Sequence, residues 1–205
     1  MAHSEQPIPP QRWPAEITYL TSYTWSPSVP YDVKYTCSFP SAGFETKIVD
    51  RRSQPPVEIR AITDVRHPAY GQLGLFATER IPPFTWILDY LGHISLTELI
   101  PADRTYTLQF FGPLSVDASE YGNAARCIND WIGIASRPNA CFDTYRDAEM
   151  QSLRVGVWSL NQWIEVDDEI LSVYGSSFWK DKDPRRRWNP EWDAGEGSTR
   201  NCEAD

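Results

Sequence analysis

The chain lacks the cysteine spacings that mark metal ribbons and secreted disulfide scaffolds. Its four cysteines, Cys37, Cys127, Cys141 and Cys202, are scattered without a CxxC pair, and no N-x-S/T acceptor occurs, so buried free thiols are expected. Histidine is equally scarce. His3, His67 and His93 form no HExxH or HxH pair, which argues against a histidine metal site. There is no GxxxxGK[ST] phosphate loop and no GxSxG nucleophile elbow, and the SxxK match in "SFWK" has no companion motif. Positive charge is also short: Lys and Arg total 19 against 28 Asp and Glu, a net charge of -9. Such a field opposes a phosphate backbone and favours cationic ligands, so nucleic acid is not an expected partner and a basic peptide is. No apolar run approaches the roughly 18 residues of a membrane span, and "MAHSEQPIPPQRWP" has neither part of a secretory signal. No membrane association is therefore expected, and the expected location is intracellular, in nucleus or cytoplasm.

What is present is proline near the ends and short apolar runs in the middle. The 17 prolines include "EQPIPPQRWP", "SQPPVE" and "DPRRRWNPEW", where missing amide donors and extended neighbours limit helix. From Val57 onward come "VEIRAIT", "LGLFAT", "WILDYLGHI", "YTLQFF", "LSVDA", "ACFDTY", "LRVGVWSL" and "EILSVYG", separated by Gly, Pro, Asn and Asp. Tyr106, Leu108 and Phe110 fall on one face of a period-two strand, as do Leu153, Val155 and Val157. Before Val57, "ITYLTSYTW" and "DVKYTCSF" also read as strands, while "SLTELI" and "EYGNAARCI" are the convincing helical pieces. The pattern predicts a mostly β chain of short strands. After residue 180 the composition turns from basic to acidic and suits disorder.

Chemistry is carried by an ordered series of motifs rather than by any single one. "GQLGLFATERI", "ILDYLGHI", "VDASEYGNAARCINDW" with "RPNACF", and "WIEVDDEILSVYGSSFW" occur in that order. Over roughly Val57 to Lys180 this series resembles the SET-domain protein-lysine methyltransferases. The resemblance implies a mostly β SET fold, with several small sheets, a C-terminal pseudoknot and few short helices. It divides the chain into a flanking segment 1–56, partly extended or disordered, a catalytic domain 57–180, and a tail 181–205 that is either a lid or disordered. The implied cofactor is S-adenosyl-L-methionine, the implied partner a protein or peptide carrying a lysine, and no metal is needed.

The resemblance also assigns residues. Tyr174 falls on the family's catalytic tyrosine and is expected to touch the cofactor as well, Tyr90 on a tyrosine of the lysine channel, and Phe142 on a position occupied by tyrosine or phenylalanine. Phenylalanine there leaves room around the amine and implies di- or trimethyl product. The backbone of Leu73, Gly74 and Leu75 is expected to approach the cofactor, glycine being needed because a side chain blocks close contact. Asn129 is expected to hydrogen-bond it, helped by the backbone of Asp130; Arg126 to steady its carboxylate; and Phe178 and Trp179 to lie against its adenine. The chain departs from the pattern at Asp130 and Trp131, where the family carries histidine and serine, at Gln72 in place of a glycine, in an insertion between Asn129 and Asn139, and in lacking zinc-binding cysteine flanks. These departures motivate a second expectation: a SET-fold module that has lost catalysis and binds a basic peptide or protein.

Overall fold

Period-two apolar alternation, punctuated by turn residues, builds small sheets rather than one large one. A computed structural model of the chain describes residues 7–38, 43–51 and 55–175. These residues form β1 (Thr18–Tyr19), β2 (Thr24–Trp25), helix α1 (Tyr31–Ser38), β3 (Thr46–Lys47), β4 (Val57–Ala61), β5 (Leu73–Ala77), β6 (Trp86–Asp89) and β7 (His93–Leu96). They continue through β8 (Thr107–Phe111), β9 (Leu114–Asp117), β10 (Tyr121–Gly122), β11 (Asn129–Asp130), β12 (Ala140–Asp147), β13 (Leu153–Ser159) and β14 (Leu171–Ser172). Two four-stranded sheets, ordered β3-β12-β13-β6 and β2-β7-β9-β8, are joined by the pairs β4-β5, β1-β10 and β11-β14.

Each apolar run from Val57 onward contains a strand, and the two helical pieces are single 3₁₀ turns at Thr97–Leu99 and Ala124–Cys127. "DVKYTCSF" differs: it is α1, not a strand. Pro30 stands just before it, and its carbonyl accepts the Lys34 amide at 3.1 Å. The Thr36 and Ser38 hydroxyls donate to carbonyls four residues back, at 2.9 and 3.0 Å, so the polar β-branched side chain is accommodated inside the turn. Cys37 and Cys127 are buried free thiols, whereas Cys141 is disulfide-bonded, which corrects the expectation of free thiols at that position.

All seven residues of β13 are buried, so both faces of this central strand are covered. Leu153, Val155 and Val157 face the main core with Ile59, Leu75, Ile94, Val116 and Ile170. The alternate positions face polar company. Arg154 donates through Nε to Asp89 at 2.6 Å, and Tyr145 packs edge-on against Trp158 at 5.4 Å between centroids. Asp89 also accepts from Arg51 at 3.0 Å, the Tyr145 hydroxyl at 2.8 Å and the Trp86 indole at 3.1 Å, while Asp147 pairs with Arg51. One nearly buried carboxylate is therefore saturated by two guanidinium groups and two neutral donors.

Breaking such a cluster from one side leaves uncompensated buried charge. Asp89→Ala is expected to lower stability by about 3–5 kcal/mol, read as a fall in the denaturant midpoint at unchanged slope.

Candidate functional site

The site begins where the chain between Glu165 and Tyr174 docks onto two distant segments. The Ala77 amide donates to Asp168 O at 2.9 Å and the Ile170 amide to Leu75 O at 2.7 Å, which fastens residues 168–170 to β5. Then β14 runs parallel to β11, with Asn129 opposite Leu171 and Asp130 opposite Ser172. Leu171 is also held from its other side: Asn139 Oδ1 accepts its amide at 2.8 Å and the Asn139 amide donates to its carbonyl at 3.0 Å. A strand of two residues is too short to be stable alone, and these grips supply what its length does not.

Glu169 sits at the crossing. Asn129 Nδ2 donates to its Oε1 at 2.7 Å and to Leu73 O at 3.1 Å, while His67 Nε2 lies 3.0 Å from its Oε2. His67 Nδ1 accepts the Ala69 amide at 3.0 Å, which assigns the proton to Nε2 and makes that nitrogen the donor to Glu169. Gly74 belongs to this arrangement. A Cβ there stands 2.8 Å from Glu169 Oε1 and equally close to side-chain carbons of Ile62 and Phe76. Gly71, with φ +80°, makes the turn in front of β5, and its amide donates to Ile62 O at 3.0 Å.

Two cavities flank this crossing. The larger, about 400 Å³, is lined by Pro14, Glu16, Pro68, Gln72, Leu73, Asn129, Asp130, Ile132 and Ile134 among others. The smaller, about 50 Å³, is lined by Tyr90, Thr107, Leu108, Ile128 and Phe142. Thr105, Tyr106, Arg126 and Tyr174 line both. The Tyr90 hydroxyl donates to Tyr106 O at 2.7 Å, and its ring meets Phe142 edge-on at 5.5 Å. The Tyr174 hydroxyl donates to Ile128 O. Arg126 stacks its guanidinium 4.0 Å from the Tyr106 ring centre and spends Nε on Ala118 O at 2.9 Å.

Burial pushes both phenols upward. For Tyr174 it is reinforced by the nearby Asp130 carboxylate, and for Tyr90 by Tyr174 itself, against a smaller opposing pull from Arg126. Both hydroxyls are therefore protonated at neutral pH and act as donors and dipoles, not as bases. Burial also pushes the Cys127 thiol, on the wall of the larger cavity, up to about 11.

Of the residues singled out from sequence, Tyr90, Phe142, Arg126, Asn129, Asp130, Leu73 and Tyr174 line one or both cavities. Gly74 is packed against Glu169, and Leu75 is fully buried in the core. Phe178 and Trp179 lie outside the described residues. Asp130 contributes more than backbone: its Oδ2 accepts the Tyr174 amide and its Oδ1 the Ile132 amide, both at 2.8 Å. The inserted segment turns back on Trp131 and places Ile132 and Ile134 on the larger cavity. His67, Tyr106 and Glu16 were not singled out as site residues. Nothing in a lone His-Pro, a strand-leading tyrosine or a glutamate in a proline-rich flank distinguishes them before the fold brings them together.

No protein-family model matches the chain, and no curated protein matches it in sequence. Solved structures do. ATXR5 in complex with mono-methylated histone H3.1 superposes with a TM-score of 0.59 at 14% identity, over 78% of this chain and 82% of that one. The structure of ctPRC2 in an autoinhibited conformation bound to S-adenosylmethionine gives 0.50 at 21% identity, over 67% of this chain and 17% of that one. The architecture is the SET-domain fold, mostly β in several small sheets.

Gly74→Ala is expected to destabilise the protein by about 1–3 kcal/mol through overpacking against Glu169, measured by denaturant unfolding. Cys127 is expected to react with iodoacetamide at pH 8 about 100-fold more slowly in the native protein than its thiol does after unfolding, since thiolate is the nucleophile. Peptide mass spectrometry of the labelled protein reads both rates.

Proposed function

We propose that the chain catalyses S-adenosylmethionine-dependent methylation of a lysine side chain in a protein substrate. The observation that carries this reading is the pair of cavities of unequal size meeting at Tyr106, Arg126 and Tyr174. One is large enough for a nucleoside-sized ligand, and the other narrow enough to admit a single unbranched side chain. The larger cavity's chemistry fits the cofactor: a guanidinium for a carboxylate, the Asn129 side-chain oxygen and neighbouring backbone for polar edges, and Pro68, Ile132 and Ile134 for an apolar ring. When bound, the cofactor supplies an electrophilic methyl group on a sulfonium.

The protein's part is alignment and desolvation. Tyr90, Ile128 and Phe142 form a narrow wall that disfavours an ammonium and so favours the neutral amine. The Tyr174 and Tyr90 hydroxyls, kept protonated by burial, present oxygen dipoles whose direction is set by the Ile128 and Tyr106 carbonyls. Asn129 is oriented from behind by Glu169, and Glu169 by His67. The departure at Asp130 supports this reading over a non-catalytic binding module, because its carboxylate holds the Tyr174 backbone beside the channel. Phe142 carries no hydroxyl to crowd the amine, which supports di- or trimethyl product.

The surplus of acidic residues favours a basic peptide, and the ATXR5 neighbour's complex with histone H3.1 makes histone tails the first substrates to try, in nucleus or cytoplasm. Among the described residues no helix is long and apolar enough to cross a membrane.

Titration calorimetry is expected to show S-adenosylmethionine binding; absence of binding at millimolar cofactor defeats the proposal. With a labelled substrate, Tyr174→Phe is expected to lower the rate about 100-fold, the scale for loss of one preorganised donor. Phe142→Tyr is expected to shift product towards monomethyl-lysine, as resolved by mass spectrometry; an unchanged distribution removes the role given to Phe142.

A further inference from the structure

Residues 10–20, upstream of the region that carries the motifs, are built into the wall of the larger cavity. The segment is tied down at both ends. Arg12, in a left-handed conformation with φ +63°, donates from Nη1 to Ile59 O on β4 at 3.1 Å. At the other end the Thr18 amide donates to Glu120 O at 2.9 Å and the Leu20 amide to Gly122 O at 2.7 Å, as β1 pairs in parallel with β10. Between these anchors the chain holds itself in a tight turn. Trp13 Nε1 donates to Ile17 O at 2.7 Å, the Ile17 amide to Pro14 O at 3.1 Å, and the Trp13 ring meets Tyr19 edge-on at 5.2 Å. Pro14 and Glu16, which this turn presents, both line the cavity.

Glu16 is an exposed carboxylate on the cavity that no protein group engages among the described residues. Arg104 is engaged by Glu120, Arg80 by Glu165 and Arg60 by Asp167, yet the Glu16 carboxylate has no hydrogen-bond or ion-pair partner among the described residues. On the same cavity Arg126 spends only Nε on protein oxygen, and its terminal nitrogens have no hydrogen-bond or ion-pair partner among the described residues. One cavity therefore offers an uncommitted anion and an uncommitted cation, the complement of a zwitterionic amino-acid group.

We propose that residues 12–20 form a strap belonging to the cofactor site, in which the Glu16 carboxylate takes the ammonium of the cofactor's amino-acid end while Arg126 takes its carboxylate. This rests on the S-adenosylmethionine reading given above. It assigns to the N-terminal flank a role in choosing a ligand with an intact amino-acid end over one that keeps only the nucleoside.

The test is calorimetry on the full chain with two probes, S-adenosylmethionine and 5′-methylthioadenosine, which lacks the amino-acid portion. Wild type is expected to prefer S-adenosylmethionine. Glu16→Gln is expected to weaken S-adenosylmethionine binding about tenfold, and Glu16→Lys further, with 5′-methylthioadenosine affected less than about twofold in either variant. Glu16 is exposed, so both variants are expected to unfold at the wild-type midpoint. Hydrogen exchange provides a second readout: the Thr18 and Leu20 amides are expected to exchange more slowly once S-adenosylmethionine is added. If wild type binds S-adenosylmethionine while both variants bind it equally well and strap exchange is unchanged, the strap inference is overturned and the cofactor reading stands. If wild type binds neither probe, the cofactor reading falls and takes this inference with it.

Discussion

The carboxylate of Glu169 is the point on which the rest of the site depends. It binds His67, in the turn before β5, and Asn129 on β11, and through the same Asn129 amide group the carbonyl of Leu73 on β5 is drawn in, so segments near residues 70, 129 and 169 are tied together. Each contact alone is an ordinary hydrogen bond. Together they leave the carboxylate no oxygen unspent, in surroundings where an unpaired charge is costly, so the three segments are held in one relative position. Gly74 is the steric condition for this, since a Cβ there stands only 2.8 Å from Oε1. Asp130 repeats the device one residue along β11, using its two oxygens to fix the inserted turn and the backbone of Tyr174.

Much of the fold was legible because its signals are local. Alternation in "YTLQFF" and "LRVGVWSL", and the glycine turn before "LGLFAT", reflect rules acting over a few residues, and strands formed there. The exception, α1, shows where local rules fail: in a peripheral segment, strand propensity in "DVKYTCSF" yielded to a helix start at Pro30 and a buried face at Cys37. The register of β13 was legible as well, but not that its second face is covered, because a polar position such as Arg154 reads as solvent-facing until Asp89 and Tyr145 are known to lie opposite.

The candidate site was legible only in part, and for a related reason. Tyr90, Asn129, Phe142 and Tyr174 could be picked out because motif order carries information about a shared fold. His67, Glu16 and the side-chain role of Asp130 could not, because their significance lies in partners some 40 to more than 100 residues away, or in having no partner at all. Gly74 was noticed for close approach, and the close approach proves to be to Glu169. An aspartate at the position where the SET-domain motif has histidine reads, in sequence, as a departure. In three dimensions the carboxylate accepts two backbone amides, those of Ile132 and Tyr174.

Tyr106, Arg126 and Tyr174 form a partition common to both cavities. A ligand that displaces a shared wall from one side changes the free energy of filling the other, and by thermodynamic reciprocity the effect is equal in both directions. The Arg126 guanidinium is stacked on the Tyr106 ring, and the Tyr106 carbonyl in turn accepts the Tyr90 hydroxyl, so the three side chains form one contiguous contact across the partition. Linkage of the two chambers follows only to the extent that filling one moves this wall, and the shared residues are where such movement is registered.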